Sequence, residues 1–187
     1  MKKRLLIGMS GASGAPIAVE LLRQLQKQES VETHLIITRG AELTLCQETE
    51  LSLDEVKHLA DVYYENDKIG ARPASGSFRM EGMIIVPCSM KTVAGIVSGY
   101  SENLLLRAAD VMLKEHRKLV LVARESPLST IHLRNLYEMS QIGGIIMPPM
   151  MTYYNHPKTI EDCTRHTVQR ILRQFDLNED CYEWEGM

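Results

Sequence analysis

The residues best suited to chemistry stand in short polar groups, each directly behind a short apolar run. Ser10-Gly11-Ala12-Ser13-Gly14 follows RLLIGM, Thr38-Arg39-Gly40 follows THLII, Cys88-Ser89-Met90-Lys91 follows MIIVP, and Arg124-Glu125-Ser126-Pro127 follows KLVLVA. Small hydroxyls, backbone N–H groups and basic side chains in such places can hold a phosphorylated small molecule. The first group has its glycines three apart, so it is not a GxGxxG fingerprint, and no Walker lysine follows Gly14. A serine-hydrolase elbow fails too, because Ala12 stands where GxSxG needs glycine. A phosphate cradle and a plain tight turn both remain open for this loop.

Other candidates read two ways. Arg107, Asp110 and Lys114 lie at i, i+3 and i+7, a polar stripe on one helical face that solvation alone would explain. The pair Arg124-Glu125 closes an apolar strand, where an ion pair and a catalytic role are both open. Glu48 by itself reads as a surface carboxylate. Tyr153, Tyr154 and Trp184 draw notice because aromatics are only 5% of the chain, and ring faces can stabilise a carbocation or merely fill a core. The six histidines form no HxxxH or HExxH array, which points to surface or helix-end placement and no metal site. Four scattered cysteines without a CxxC spacing suggest a reduced, cytoplasmic protein.

The apolar runs Arg4–Met9, 33–38, 83–87, 118–123 and 144–147 are brief and rich in Ile, Leu and Val, as strands covered on both faces must be. Helical patterns lie between them: one entered at Pro16 with Ala18, Leu21, Leu22 and Leu25, one behind the Ser52–Glu55 capping box, and three at 104–115, 128–139 and 159–175. The alternation predicts a single α/β domain over residues 1–187, doubly wound and mostly parallel, with its ligand beyond the carboxyl ends of the strands. Residues 63–78 read as a long polar loop and the acidic tail after Asp176 as weakly patterned. A formal charge of -3, from 21 Lys+Arg against 24 Asp+Glu, argues against nucleic-acid binding. No apolar run approaches the roughly 20 residues that span a bilayer. The basic N-terminus has too short an apolar stretch for a signal peptide and reads as a first strand.

Taken together, GMSGASGA (8–15), ETHL (32–35), ASGSF (74–78), PCSMKT (87–92), RAADVMLKE (107–115), RESPLSTIHL (124–133) and YYNHP (153–157) resemble the flavin prenyltransferase family, over nearly the whole chain. The resemblance implies a Rossmann-like flavoprotein that transfers a dimethylallyl group from dimethylallyl phosphate to N5 of reduced FMN and closes a ring at C6, without a metal. The prenylated FMN would serve a separate UbiD-type decarboxylase of aromatic or phenolic acids, and the enzyme would form large homo-oligomers of dodecamer type with sites completed across subunits. An accessory FMN-binding subunit and a direct FMN-dependent decarboxylase share this fold and are the alternatives.

By the same resemblance, Gly11, Ala12, Ser13, Thr38, Cys88, Ser89, Met90, Lys91 and Arg124 would bind the flavin. Ser13 and Glu125 would lie near its N5, where protons must move. Glu48, Lys114, Arg124, Tyr154 and Arg170 would surround the prenyl phosphate, with Lys114 and Arg170 supplying charge, and Trp184 would cover the prenyl group. Thr38 replaces a usual serine and keeps the hydroxyl. Residues 70–73 and 151–153 depart from the family pattern beside the inferred prenyl pocket.

Overall fold

The four central strands of the sheet are largely aliphatic and buried on both sides, which is possible only if helices cover both faces. The computed structural model describes residues 2–177 and Gly186. In chain order it contains β1 (Lys3–Met9), α1 (Ala15–Leu25), β2 (Val31–Ile37), α2 (Arg39–Glu48), α3 (Leu53–Lys57), β3 (Val62–Glu65), β4 (Gly82–Cys88), α4 (Met90–Val97), α5 (Leu104–Lys114), β5 (Lys118–Ala123), α6 (Thr130–Gln141), β6 (Ile145–Ile146) and α7 (Ile160–Arg173). The strands form one sheet in the order β3-β2-β1-β4-β5-β6, and each neighbouring pair is parallel. The chain winds outward from β1 to one side, then crosses over to β4 and winds the other way. A crevice therefore opens between the carboxyl ends of β1 and β4, where the two crossovers diverge.

Alternation along β1 divides the core. Leu5, Ile7 and Met9 face one layer with Leu21, Leu22 and Leu25 of α1 and Val168, Ile171 and Leu172 of α7. Leu6 faces the other with Ile36, Met83 and Ile85, against α4 and α5. Among the described residues no helix is long and apolar enough to cross a membrane.

Three stretches of the chain differ from the sequence expectation. The polar stretch from Tyr63 is not all loop: Val62–Glu65 pairs with β2 as an edge strand, and Arg72–Ala74 makes a short 3₁₀ turn. Helix α2 follows its Thr38 cap although only Ala41 and Leu45 are buried, so it carries almost no apolar stripe. Helix α4 is only eight residues long, and Lys91 is its single charge, so MKTVAGIV offers little polar contrast to mark it. Two histidines also depart from the expected surface placement. His34 is fully buried in β2 and His166 is nearly so on α7.

Candidate active site

The crevice floor is stitched by Ser10, which ends the apolar run of β1 and is itself 1% exposed. Its hydroxyl donates to the Pro87 carbonyl (3.1 Å) and accepts from the Ser89 N–H (2.8 Å), tying the ends of β1 and β4 together. Thr38 and Ser89 then cap α2 and α4, accepting from the Ala41 and Thr92 N–H groups. Two glycines meet over this floor. A Cβ on Gly11 would come within 2.9 Å of the Gly40 Cα, so the loops behind β1 and β2 touch backbone to backbone. A bare main-chain surface of this kind lets a phosphate approach closely. Ser10, Gly11, Thr38, Gly40, Ser89 and Lys91 line a cavity of about 1060 Å³. That volume and donor set fit a flavin mononucleotide: hydroxyls, exposed glycine backbone and the Lys91 ammonium suit its phosphate.

Next to it, Glu48 answers the open question about the glycine loop. Gly14 caps α1 with φ 124° and offers no side chain for its orphan amides. The Glu48 carboxylate, on the last residue of α2, takes that role by accepting from Gly14 N–H (2.8 Å) and Ala15 N–H (2.9 Å). Burial pushes this carboxyl up. The Gly14 N–H, the Ser13 hydroxyl, the Ala15 N–H and the Arg124 charge outweigh it and hold Glu48 below its ordinary value. Ser13, Glu48 and Arg124 are thus one group, and the N-terminus of α1 is filled by a protein carboxylate.

The remaining candidates on this rim contribute in different ways. Ala12 lies in the same loop, its N–H bonded to the Ser10 carbonyl. Cys88 and Met90 place their side chains in the core, and burial pushes the Cys88 thiol up. Only the Cys88 carbonyl serves the rim, accepting from the Arg124 N–H at 3.0 Å. Glu125 is exposed behind β5 and accepts from the Ser126 N–H at 3.0 Å.

Lys114 stands elsewhere. It ends α5, just before the amino end of β5. The six residues of β5 separate it from Arg124, a rise of about 20 Å. There Lys114 pairs with Glu115 at 2.5 Å beside Gly76, while Arg117 and Arg107 donate to the carbonyls of Gly76 and Ala74. The expected stripe resolves into local pairs, with Arg107 on Asp110 at 2.5 Å. Tyr154 and Arg170 belong to a third group, on the segment behind β6 and on α7. Tyr154 meets His166 there, with 3.2 Å between Oη and Nε2. Trp184 lies outside the described residues. Sequence reasoning placed Ser10 in the polar group behind the first strand without giving it the role of tying β1 to β4. It counted His166 among surface or helix-end histidines, and nothing in the spacing marked it otherwise.

Among the described residues no group of His, Cys, Asp or Glu could hold a metal ion. Residues 1–172 match the family described as Flavoprotein. The probable UbiX-like flavin prenyltransferase of Streptomyces sp. (strain D7) is 54% identical over 185 residues, covering 98% of this chain and 92% of that protein. The dodecameric FMN-dependent UbiX-like decarboxylase from Escherichia coli O157:H7 superposes with a TM-score of 0.96 at 49% identity, covering 98% of this chain and all of that one. AnUbiX (PadA1), solved in complex with FMN and dimethylallyl pyrophosphate, gives 0.97 at 45% identity with complete coverage of both chains. With an all-parallel doubly wound sheet and half its residues shared along nearly its full length, the chain belongs to the Flavoprotein family, among the UbiX-like flavin prenyltransferases.

Proposed function

We propose that this protein is a flavin prenyltransferase, which moves the dimethylallyl group of dimethylallyl phosphate onto reduced FMN. The observation that carries this reading is the crevice of Gly11, Thr38, Ser89 and Lys91, suited to the phosphate of a flavin nucleotide, in a chain about half identical to UbiX-like flavin prenyltransferases. Lys114, on α5, stands apart from Tyr154 and Arg170 within one chain; brought together between copies, the three would form a second anion-holding set that a flavin carrier has no need of. Reduced FMN supplies the nucleophilic N5 and C6. Lys114 and Arg170 stabilise the charge that builds on the departing phosphate, each donor worth about 3 kcal/mol at the transition state, and Tyr154 donates a hydrogen bond to it.

The two carboxylates divide their work. Glu48 is ionised and occupied by the Gly14, Ser13 and Ala15 donors, so it holds the Ser13 loop and orients Arg124. Glu125, with one backbone partner, is the group that accepts the proton lost on alkylation. Lys114 reaches the crevice from a neighbouring copy, because a whole strand separates the two within one chain. Homo-oligomeric assembly is therefore part of the active site. We further infer that no metal takes part, that Trp184 covers the prenyl group, and that the prenylated flavin is handed to a partner UbiD-type decarboxylase.

The test is anaerobic incubation of the protein with reduced FMN and dimethylallyl phosphate, followed by mass analysis of the flavin. A flavin heavier by one C5 unit, formed only with protein and donor, is expected. Unchanged flavin from protein that binds FMN, with the pyrophosphate donor also tried, would overturn the reading in favour of an FMN-binding accessory subunit or a direct decarboxylase.

A further inference from the structure

Tyr154 sits on an irregular turn. The His156 N–H bonds back to the Tyr153 carbonyl at 3.0 Å, Thr152 bonds Asn155 at 3.1 Å, and the phenol is 40% exposed. A phenol on such a segment needs neighbours that fix its orientation before it can serve a binding site. His166 stands on rigid ground by contrast. It is 6% exposed on α7, whose Val168, Ile171 and Leu172 are locked into the core. The two side chains meet with 3.2 Å between Tyr154 Oη and His166 Nε2, their rings edge to face at 81° with centroids 5.8 Å apart. Arg170 lies one helical turn beyond His166.

We propose that His166 is a positioning residue for the prenyl-transfer site, donating its Nε2–H to the Tyr154 oxygen so that the phenol's own proton points at the donor phosphate. The proposal rests on the reading of Tyr154 as a phosphate ligand. Its logic is a count of protons. An ionised phosphate oxygen only accepts, and a phenol has one proton to give. Once that proton is committed to the phosphate, the phenol oxygen can only accept from the imidazole, which fixes the Nε2–H tautomer. Burial, then the Arg170 charge, hold His166 below its ordinary value, so a single nitrogen carries a proton and the direction of the bond is defined. A glutamine amide could make the same donation. A leucine of similar size keeps the packing and removes the donor.

The assembled protein and four variants test this: His166→Leu, His166→Gln, Tyr154→Phe, and the double variant His166→Leu with Tyr154→Phe. Direct titration gives the affinities for dimethylallyl phosphate and FMN, turnover gives KM and kcat, and melting gives stability. His166→Leu should weaken dimethylallyl phosphate binding about fivefold, the worth of one neutral hydrogen bond, with FMN affinity unchanged. His166→Gln should stay within about twofold of wild type on the same scale. In the double variant the His166 effect should vanish, because the residue acts only through Tyr154. Additive losses, an unchanged His166→Leu, or equal falls in FMN affinity and melting temperature for both His166 variants would each overturn the role. Failure of the wild type itself to bind dimethylallyl phosphate would remove the functional reading and this inference together. A wild type that binds the donor beside an indifferent His166→Leu removes this inference alone.

Discussion

Glu48 is a remote helix cap, and its stabilising effect depends on being ionised. Its carboxyl is held below the ordinary value of 4.5 in the folded chain. A group shifted that way stabilises the fold at every pH above its unfolded value and loses the contribution as pH falls through the folded one. The Glu48→Ala variant should therefore be less stable at pH 7 by about 1 kcal/mol, the usual worth of an N-cap discounted for solvent screening. The gap to wild type should close on acidification below pH 4.5. Urea melts of both proteins across that window check it. At Lys114 the expectation is kinetic. Lys114→Ala should lower kcat/KM for the donor by about a hundredfold and leave FMN affinity alone, measured by steady-state rates beside flavin fluorescence titration.

Helix and loop placement sets the next scale, where the Gly11–Gly40 contact is the tightest constraint. A methyl group on Gly11 meets main chain at 2.9 Å on a neighbouring loop, with no flexible side chain to yield. Gly11→Ala should push the loops behind β1 and β2 apart, costing about 1–3 kcal/mol and at least tenfold in FMN affinity, which melting and equilibrium dialysis would show. The main elements were legible in the sequence for a physical reason. RLLIGM and KLVLVA are buried on both faces, so unbroken aliphatic runs mark them. The capping box at Ser52 and Glu55 is a local signal and forms as read. Helices α2 and α4 were not legible, since α2 lacks an apolar stripe and α4 is eight residues long with a single charge. At the site, hydroxyls and glycines behind strands located the crevice. The Glu48 contact with Gly14 spans 34 residues of chain, and no local pattern encodes it. The resemblance grouped Lys114 with Glu48, but the fold of one chain sets them a strand apart.

For the whole molecule, the proposed function turns that separation into a reason for assembly, since Lys114 would then come from another copy. Exposed apolar side chains offer a surface for assembly: Met150 is 73% exposed, Met151 66%, Tyr153 73% and Ile160 81%, and such side chains bury readily against another copy. Ile160→Glu should shift the protein to smaller species in size-exclusion chromatography and abolish turnover in proportion. Chelation with EDTA should leave the rate unchanged, since protein cations alone are proposed to hold the phosphate. Two crippled chains, Glu125→Ala and Lys114→Ala, should recover activity when refolded together, because some sites then draw each residue from an intact copy. The same geometry has a genetic consequence. A chain defective at both residues damages its own crevice and its neighbour's, so the share of working sites follows the square of the normal fraction. Equal expression of normal and doubly defective chains would leave about a quarter of sites intact rather than half. Inheritance at this locus would then be partly dominant, although the lesion itself is only a loss.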